Sequence, residues 1–193
     1  QLITMKTFTN ADTNPMSWVE MSDLTDTVIS KIEAHFSARD ERINVIAPLL
    51  RTGGIVGGIL SIKMKVVTML PVQYKYFYDP ASIKQIISIP EILVDIPTKM
   101  NILLCEGNTS SGSISKKAAF ELKQKYPQAK IYLATLTKVY GGPDTIDGIE
   151  NIFYGCLTDE MFVADEETKR KLNLRRGITI FPWENAEDEL RDI

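Results

Sequence analysis

The sequence predicts an α/β fold, a mainly parallel, twisted sheet flanked by helices with a small flap or hood. Two apolar runs of buried-strand length, 43–47 and 101–105, each lead into a polar turn containing glycine and then a helical pattern. A third run, 130–137, returns after the second of those helices. Strand, loop, helix and strand in that order argue for right-handed crossovers between parallel neighbours. A chain of 193 residues with 44% hydrophobic content can bury one substantial core, so a single domain over 1–193 is expected. Within it, about 72–100 reads as the flap, about 141–177 as a variable insertion and 185–193 as an acidic tail.

The elements follow in order. Residues up to about 15 are polar and expected to fray. Ser17-Trp18-Val19-Glu20 has capping-box spacing, and Trp18, Met21, Thr25, Val28, Ile32 and Phe36 then recur at helical intervals. After the strand at 43–47 come Arg51-Thr52-Gly53-Gly54 and a helix over 55–60 whose glycines permit close packing. Segments 65–70 and 72–78 read as strands parted by Pro71. Tyr74, Tyr76 and Tyr78 alternate and so share a face, suited to the core or to a subunit contact. Residues 86–89 and 92–94 read as short strands around Pro90. The central strand at 101–105 opens into a polar loop over 106–113, followed by a helix to about 126. Later, 151–157 suggests a strand, 166–172 a charged helix and 178–181 a last strand closed by Pro182-Trp183-Glu184. The tail reads as a solvated helix or as disordered chain.

Several function classes fall away. A formal charge of -3 offers no basic excess to displace counterions from nucleic acid. No window is apolar enough to span a bilayer, and neither the N-terminus nor the two cysteines suggest export, so the expected setting is the cytoplasm. His35 is the only histidine and sits late in the first helix, which argues strongly against a Ser-His-Asp hydrolase and a histidine-based metal site. No lysine follows a glycine loop as a Walker A motif requires, and no Gly-x-Gly-x-x-Gly follows a strand.

The most informative stretch is 102–115. A buried strand ends in small hydroxyl-bearing residues and a helix begins, so backbone amides and Ser110, Ser111 and Ser113 gather at the positive end of a helix dipole. Gly107 and Gly112 permit a tight turn. A phosphate suits such a place, although a well-capped strand–helix connection would read the same way.

Ile102-Leu103-Leu104-Cys105-Glu106-Gly107-Asn108-Thr109-Ser110-Ser111-Gly112-Ser113-Ile114 resembles the signature of the type I phosphoribosyltransferases. Arg51-Thr52-Gly53-Gly54 is similar to that family's pyrophosphate loop. Thr135-Leu136-Thr137-Lys138, the segment Ile178-Thr179-Ile180-Phe181-Pro182-Trp183-Glu184 and Pro15-Met16-Ser17-Trp18 resemble the xanthine–guanine and hypoxanthine enzymes. The resemblance implies transfer of a 5-phosphoribosyl group from phosphoribosyl pyrophosphate to a nucleobase, a purine above all, with Mg²⁺, in a homodimer. It implies that Asn108, Thr109, Ser110, Ser111, Gly112 and Ser113 cradle the 5-phosphate, and that Arg51, Thr52 and Gly53 grip pyrophosphate. Glu106 would hold the ribose hydroxyls and, through water, the metal; Glu106 and Arg51 are thus the catalytic candidates. Lys138, Ile178 and Thr179 would meet the base.

The chain departs from the pattern where chemistry is expected. Gly107 replaces the second acidic residue, Ser110 the loop aspartate, Ile114 the closing threonine and Ile178 the stacking aromatic, while Thr52 is extra. These changes leave a second function class open, a non-catalytic protein that binds a nucleotide or phosphoribosyl pyrophosphate as a signal.

Overall fold

A computed structural model describes residues 8–191; the readings that fall on 1–7 and 192–193 lie outside the described residues. The first strand, β1, is Thr13–Pro15. Helix α1, Trp18–Ser37, opens on the expected capping box: Ser17 N donates to Glu20 Oε2 at 2.8 Å and Glu20 N to Ser17 Oγ at 3.2 Å. Its buried face is Met21, Thr25, Val28, Ile32 and Phe36. Strand β2 runs Val45–Leu50, and α2, Thr52–Met64, follows it directly.

Residues 65–70 do not form the expected strand. Lys65 ends α2 in the left-handed conformation (φ 58), Val66 N caps Ser61 O, and only Met69 bridges to Ile46. Strand β3, Val72–Tyr78, turns into β4, Ala81–Gln85, as an antiparallel hairpin. The strands expected at 86–89 and 92–94 are also absent. Ile89, Ile92 and Ile96 pack against the core as side chains without joining a ladder. Of the alternating tyrosines, Tyr74 is buried while Tyr76 and Tyr78 are exposed.

Strand β5, Asn101–Thr109, continues four residues past the expected 105, because Asn108 pairs with Thr137 and Thr109 with Lys138 of the next strand. Helix α3 is Ser113–Lys125 and β6 is Lys130–Val139. The segment 141–177 supplies a sheet member, β7 (Ile152–Asp159), then α4 (Glu166–Leu172) and β8 (Arg175–Arg176). Strand β9, Ile178–Ile180, pairs in parallel with β1, and the tail carries a short helix, α5, Ala186–Arg191.

The main sheet runs β4-β3-β2-β5-β6-β7-β8, parallel throughout except for the β3–β4 hairpin. Alternation along the strands divides the core. Leu103 and Cys105 of β5, with Ala134 and Leu136 of β6, meet α1 and α2; Ile102 and Leu104, with Ile131 and Leu133, meet α3. Among the described residues, no helix is long and apolar enough to cross a membrane.

Candidate anion-binding site

The two central parallel strands end side by side and each feeds a helix of 13 residues, so the N-termini of α2 and α3 open on the same sheet edge. Their dipoles make this edge electropositive, although one first-turn amide of α2, Gly54 N, already bonds Arg51 O. Gly112 turns the chain into α3 at φ 69, a left-handed conformation that favours glycine. A Cβ there would also come within 2.5 Å of Ile146 Cδ1. Beyond the turn, Lys116 N bonds Gly112 O, and Ser113 N donates weakly to Ser111 Oγ at 3.3 Å. The side chains of Ser110, Ser111 and Ser113 face solvent, with the Ser111 and Ser113 hydroxyls 2.9 Å apart.

Glu106 lies below this turn, half-buried on the α3 side of β5. Thr109 Oγ1 donates to its Oε2 at 2.6 Å and Ser115 Oγ to its Oε1 at 2.7 Å. Burial raises the Glu106 pKa above the usual carboxylate value, and the two hydroxyls oppose that rise.

Gly107 points the other way, toward α2. A Cβ on it would stand 2.6 Å from Thr52 Cγ2 and 3.0 Å from Phe181 Cε2. Two departures seen separately in the sequence are therefore one packing event. The extra Thr52 and the ring of Phe181 fill the place that a second acidic side chain would need.

A cleft of about 220 Å³ joins Arg51, Thr52 and Gly53 to Glu106, Asn108 and Phe181. Arg51 precedes α2 with an exposed side chain and enters no salt bridge among the described residues. It also borders a second cleft of about 580 Å³, toward Trp183 and α5. Phe181 is locked in place by stacking on Trp183, with centroids 4.9 Å apart and planes at 6°, and Phe181 N donates to Glu184 Oε2 at 2.8 Å.

The other expected site residues are placed differently. Asn108 and Thr109 belong to β5 rather than to the turn, and their side chains are engaged within the protein. Thr137 Oγ1 donates to Asn108 Oδ1 at 2.9 Å, and Asn108 Nδ2 donates to Glu160 Oε2 at 3.0 Å. Lys138 is buried outside the 220 Å³ cleft, 3.0 Å from Asp144 Oδ1 and over the Tyr154 ring. Ile178 is buried in β9, and Thr179 N donates to Glu160 Oε1 at 3.0 Å. Sequence reasoning missed Glu160; its one signal is an acidic residue just past the end of β7.

Mg²⁺ finds little of a protein-built cage. Among the described residues no three acidic, cysteine or histidine side chains converge on a metal position, and both oxygens of Glu106 already accept hydroxyl protons. Mg²⁺ commonly keeps its waters and binds through substrate phosphates with only one or two carboxylates. The donor set at this edge therefore does not fit a resident ion.

No protein-family model matches the chain, and no curated protein sequence matches it. Solved structures do. A purine phosphoribosyltransferase from Pyrococcus horikoshii Ot3 is 16% identical with a TM-score of 0.64, over 90% of this chain and 95% of that one. The xanthine-guanine-hypoxanthine phosphoribosyltransferase of Helicobacter pylori is 16% identical with a TM-score of 0.61, over 93% and 99%. A hypothetical protein from Neisseria gonorrhoeae with bound ppGpp is 14% identical with a TM-score of 0.53, over 89% and 90%. Identities this low speak to architecture alone, and on architecture the likeness runs over nearly the whole length of both chains: this chain has the fold of the purine phosphoribosyltransferases.

Proposed function

We propose that the chain transfers a 5-phosphoribosyl group from phosphoribosyl pyrophosphate to a purine base and releases pyrophosphate. The observation that carries this reading is the convergence of two helix N-termini and of Arg51, which enters no salt bridge among the described residues, on a cleft floored by Glu106. One anion suits the turn over 110–113, where first-turn amides of α3 and the hydroxyls of Ser110, Ser111 and Ser113 can donate to a monoester phosphate. A second suits Arg51, Thr52 and Gly53, where a planar guanidinium can bind two oxygens of pyrophosphate at once. Glu106 stands between the two and accepts from ribose hydroxyls.

In this reading the chain's own groups act by position and charge. Cleavage at the anomeric carbon leaves negative charge on pyrophosphate, which Arg51 and the α2 N-terminus stabilise. The amides of α3 hold the phosphate end still, so that the base attacks in line. Mg²⁺, carried in by the pyrophosphate, would supply further charge neutralisation. The test is pyrophosphate release from purified protein with phosphoribosyl pyrophosphate, Mg²⁺ and adenine, guanine, hypoxanthine or xanthine. Release with at least one base is expected; none above background with any of them ends the enzymatic reading.

A second reading has its own support. Glu106 is held by two hydroxyls, the place of the second acidic residue is filled by Thr52 and Phe181, and the Neisseria gonorrhoeae neighbour carries ppGpp. Binding of ppGpp or of phosphoribosyl pyrophosphate without turnover would make the chain a ligand sensor. Calorimetry run beside the release assay separates the two. A cytoplasmic homodimer, with Tyr76 and Tyr78 at a subunit contact, completes the proposal.

A further inference from the structure

The turn over 110–113 leans on a later part of the chain. Between β6 and β7, residues 140–151 form neither helix nor strand. Gly142 passes so close to the turn that a Cβ on it would stand 2.5 Å from Ser110 O and 3.0 Å from Val139 O. Ile146, a buried core residue, lies against the other end: a Cβ on Gly112 would meet its Cδ1 at 2.5 Å and its Cγ1 at 3.0 Å. The segment is itself tied down. Gly142 N donates to Val139 O at 3.1 Å, Lys138 Nζ meets Asp144 Oδ1 at 3.0 Å, and Lys116 Nζ of α3 meets Asp147 Oδ2 at 2.5 Å. Lys138, expected at the base, thus serves to anchor this segment. The turn is loosely bonded within itself, since Ser113 N reaches Ser111 Oγ only at 3.3 Å.

We propose that segment 142–147 positions the anion turn, with Gly142 and Ile146 as positioning residues that fix where Ser110 and Gly112 stand. Through them the segment sets the aim of the donors that a monoester phosphate meets. This rests on the phosphoribosyl reading of the cleft. A helix N-terminus holds an anion through amides that point at it, and hydrogen bonds weaken steeply once they are misaligned. At Ser110 the atom nearest to the missing Cβ is a main-chain oxygen, which cannot rotate aside as a side chain can. A side chain at 142 must therefore displace the segment or the turn. At Gly112 the match runs the other way, because the room that a Cβ would take is filled by an isoleucine from the segment. The stretch that reads in the sequence as a variable insertion thus begins with part of the frame of the proposed site.

The experiment measures, by calorimetry on the full chain, the affinity of ribose 5-phosphate for the wild type, Gly142→Ala and Gly148→Ala, with melting curves to show that each is folded. Gly148 supplies the control. It belongs to the same stretch and has φ 82, so alanine there strains the backbone, yet its Cβ would meet Ala119 Cβ at an ordinary 3.5 Å and leave the turn alone. Gly142→Ala is expected to bind about tenfold more weakly than the wild type, the scale of one hydrogen bond to a charged group. Gly148→Ala is expected to melt lower but to bind as the wild type does. A folded Gly142→Ala that binds like the wild type overturns the proposal. A Gly148→Ala that loses as much affinity overturns it too, because strain anywhere in the stretch would then suffice. If Gly142→Ala does not fold, Ile146 decides: Ile146→Val should bind more weakly than the wild type and Ile146→Ala more weakly still, and equal affinities overturn the proposal. A wild type that does not bind ribose 5-phosphate removes the phosphoribosyl reading itself, and this proposal with it.

Discussion

Glu106 shows how one side chain can be a burden to the fold and still suit the proposed site. Its carboxyl titrates above the usual value because burial penalises the charge. The folded state therefore holds a proton that the unfolded state gives up. This group costs no stability below its unfolded pKa and costs progressively more as pH rises through the folded pKa. Glu106→Gln should consequently melt no lower than the wild type at pH 8, yet bind phosphoribosyl pyrophosphate at least tenfold more weakly. Melting curves and titration calorimetry check the two halves; unchanged affinity would remove Glu106 from the site. Gly107→Asp makes the complementary point. Restoring the missing acid drives a side chain into Thr52 and Phe181, so a loss of about 1–3 kcal/mol is expected, with no gain in sugar affinity. Pairing it with Thr52→Gly should recover part of the loss, which denaturant unfolding of the single and double variants would show. None of this packing is visible in the sequence. Residues 52, 107 and 181 meet only through the fold, so Thr52 and Gly107 read there as two unrelated departures.

The elements differ in how far local pattern decided them. Helix α1 was legible because its start, its stripe and its length all follow from neighbouring residues. Ser17→Ala should cost about 1 kcal/mol, the usual worth of an N-cap, and lower the melting temperature accordingly. Glu20 in the same box has its pKa lowered to about 2, first by the Ser17 backbone, then by the Ser17 hydroxyl and Arg175. Its contribution is thus present above the unfolded carboxylate value and lost as pH falls through about 2. The deficit of Glu20→Ala, which removes the carboxylate that Ser17 N donates to, should therefore shrink in acid, and a deficit that is constant from pH 7 to pH 2 would count against the capping box. Elsewhere pairing overrode pattern. Gly107, Asn108 and Thr109 look like loop residues, but β6 offers a ladder along their whole length and they extend β5. Past β4 only Ile86 N still reaches β3, at Gln73 O, so the isoleucines at 87, 89 and 92, which look like strand residues, find no ladder. Glu160 was invisible for a related reason: it lies in a turn without periodicity, and its partners are 52 and 19 residues away.

For the whole molecule, the fold class was readable in advance, since parallel crossovers leave few ways to arrange alternating segments, while three expected strands did not form and β1, β4 and β8 were not foreseen. What could not be read was which side chains the crossovers bring together at the sheet edge, where the proposed site lies. The hairpin β3–β4 forms one edge of the sheet, with Tyr76 and Tyr78 exposed and their ring centroids 4.9 Å apart. If the chain is a dimer through this surface, Tyr78→Ser should shift its sedimentation toward the monomer without altering the melting of α1 and the core. A wild type that sediments as a monomer at micromolar concentration would exclude the dimer. The pairing of β1 with β9 has a different consequence. Thr13–Pro15 lies in register with Ile178–Ile180, and Met16 N closes the pair on Ile180 O at 2.8 Å. The two ends of the fold work as a clasp. Peeling residues 13–15 away, by a nick or a bulky fusion ahead of them, strips β9 of its ladder and lets Thr179 drift from Glu160, so damage at one end of the chain is registered at the other.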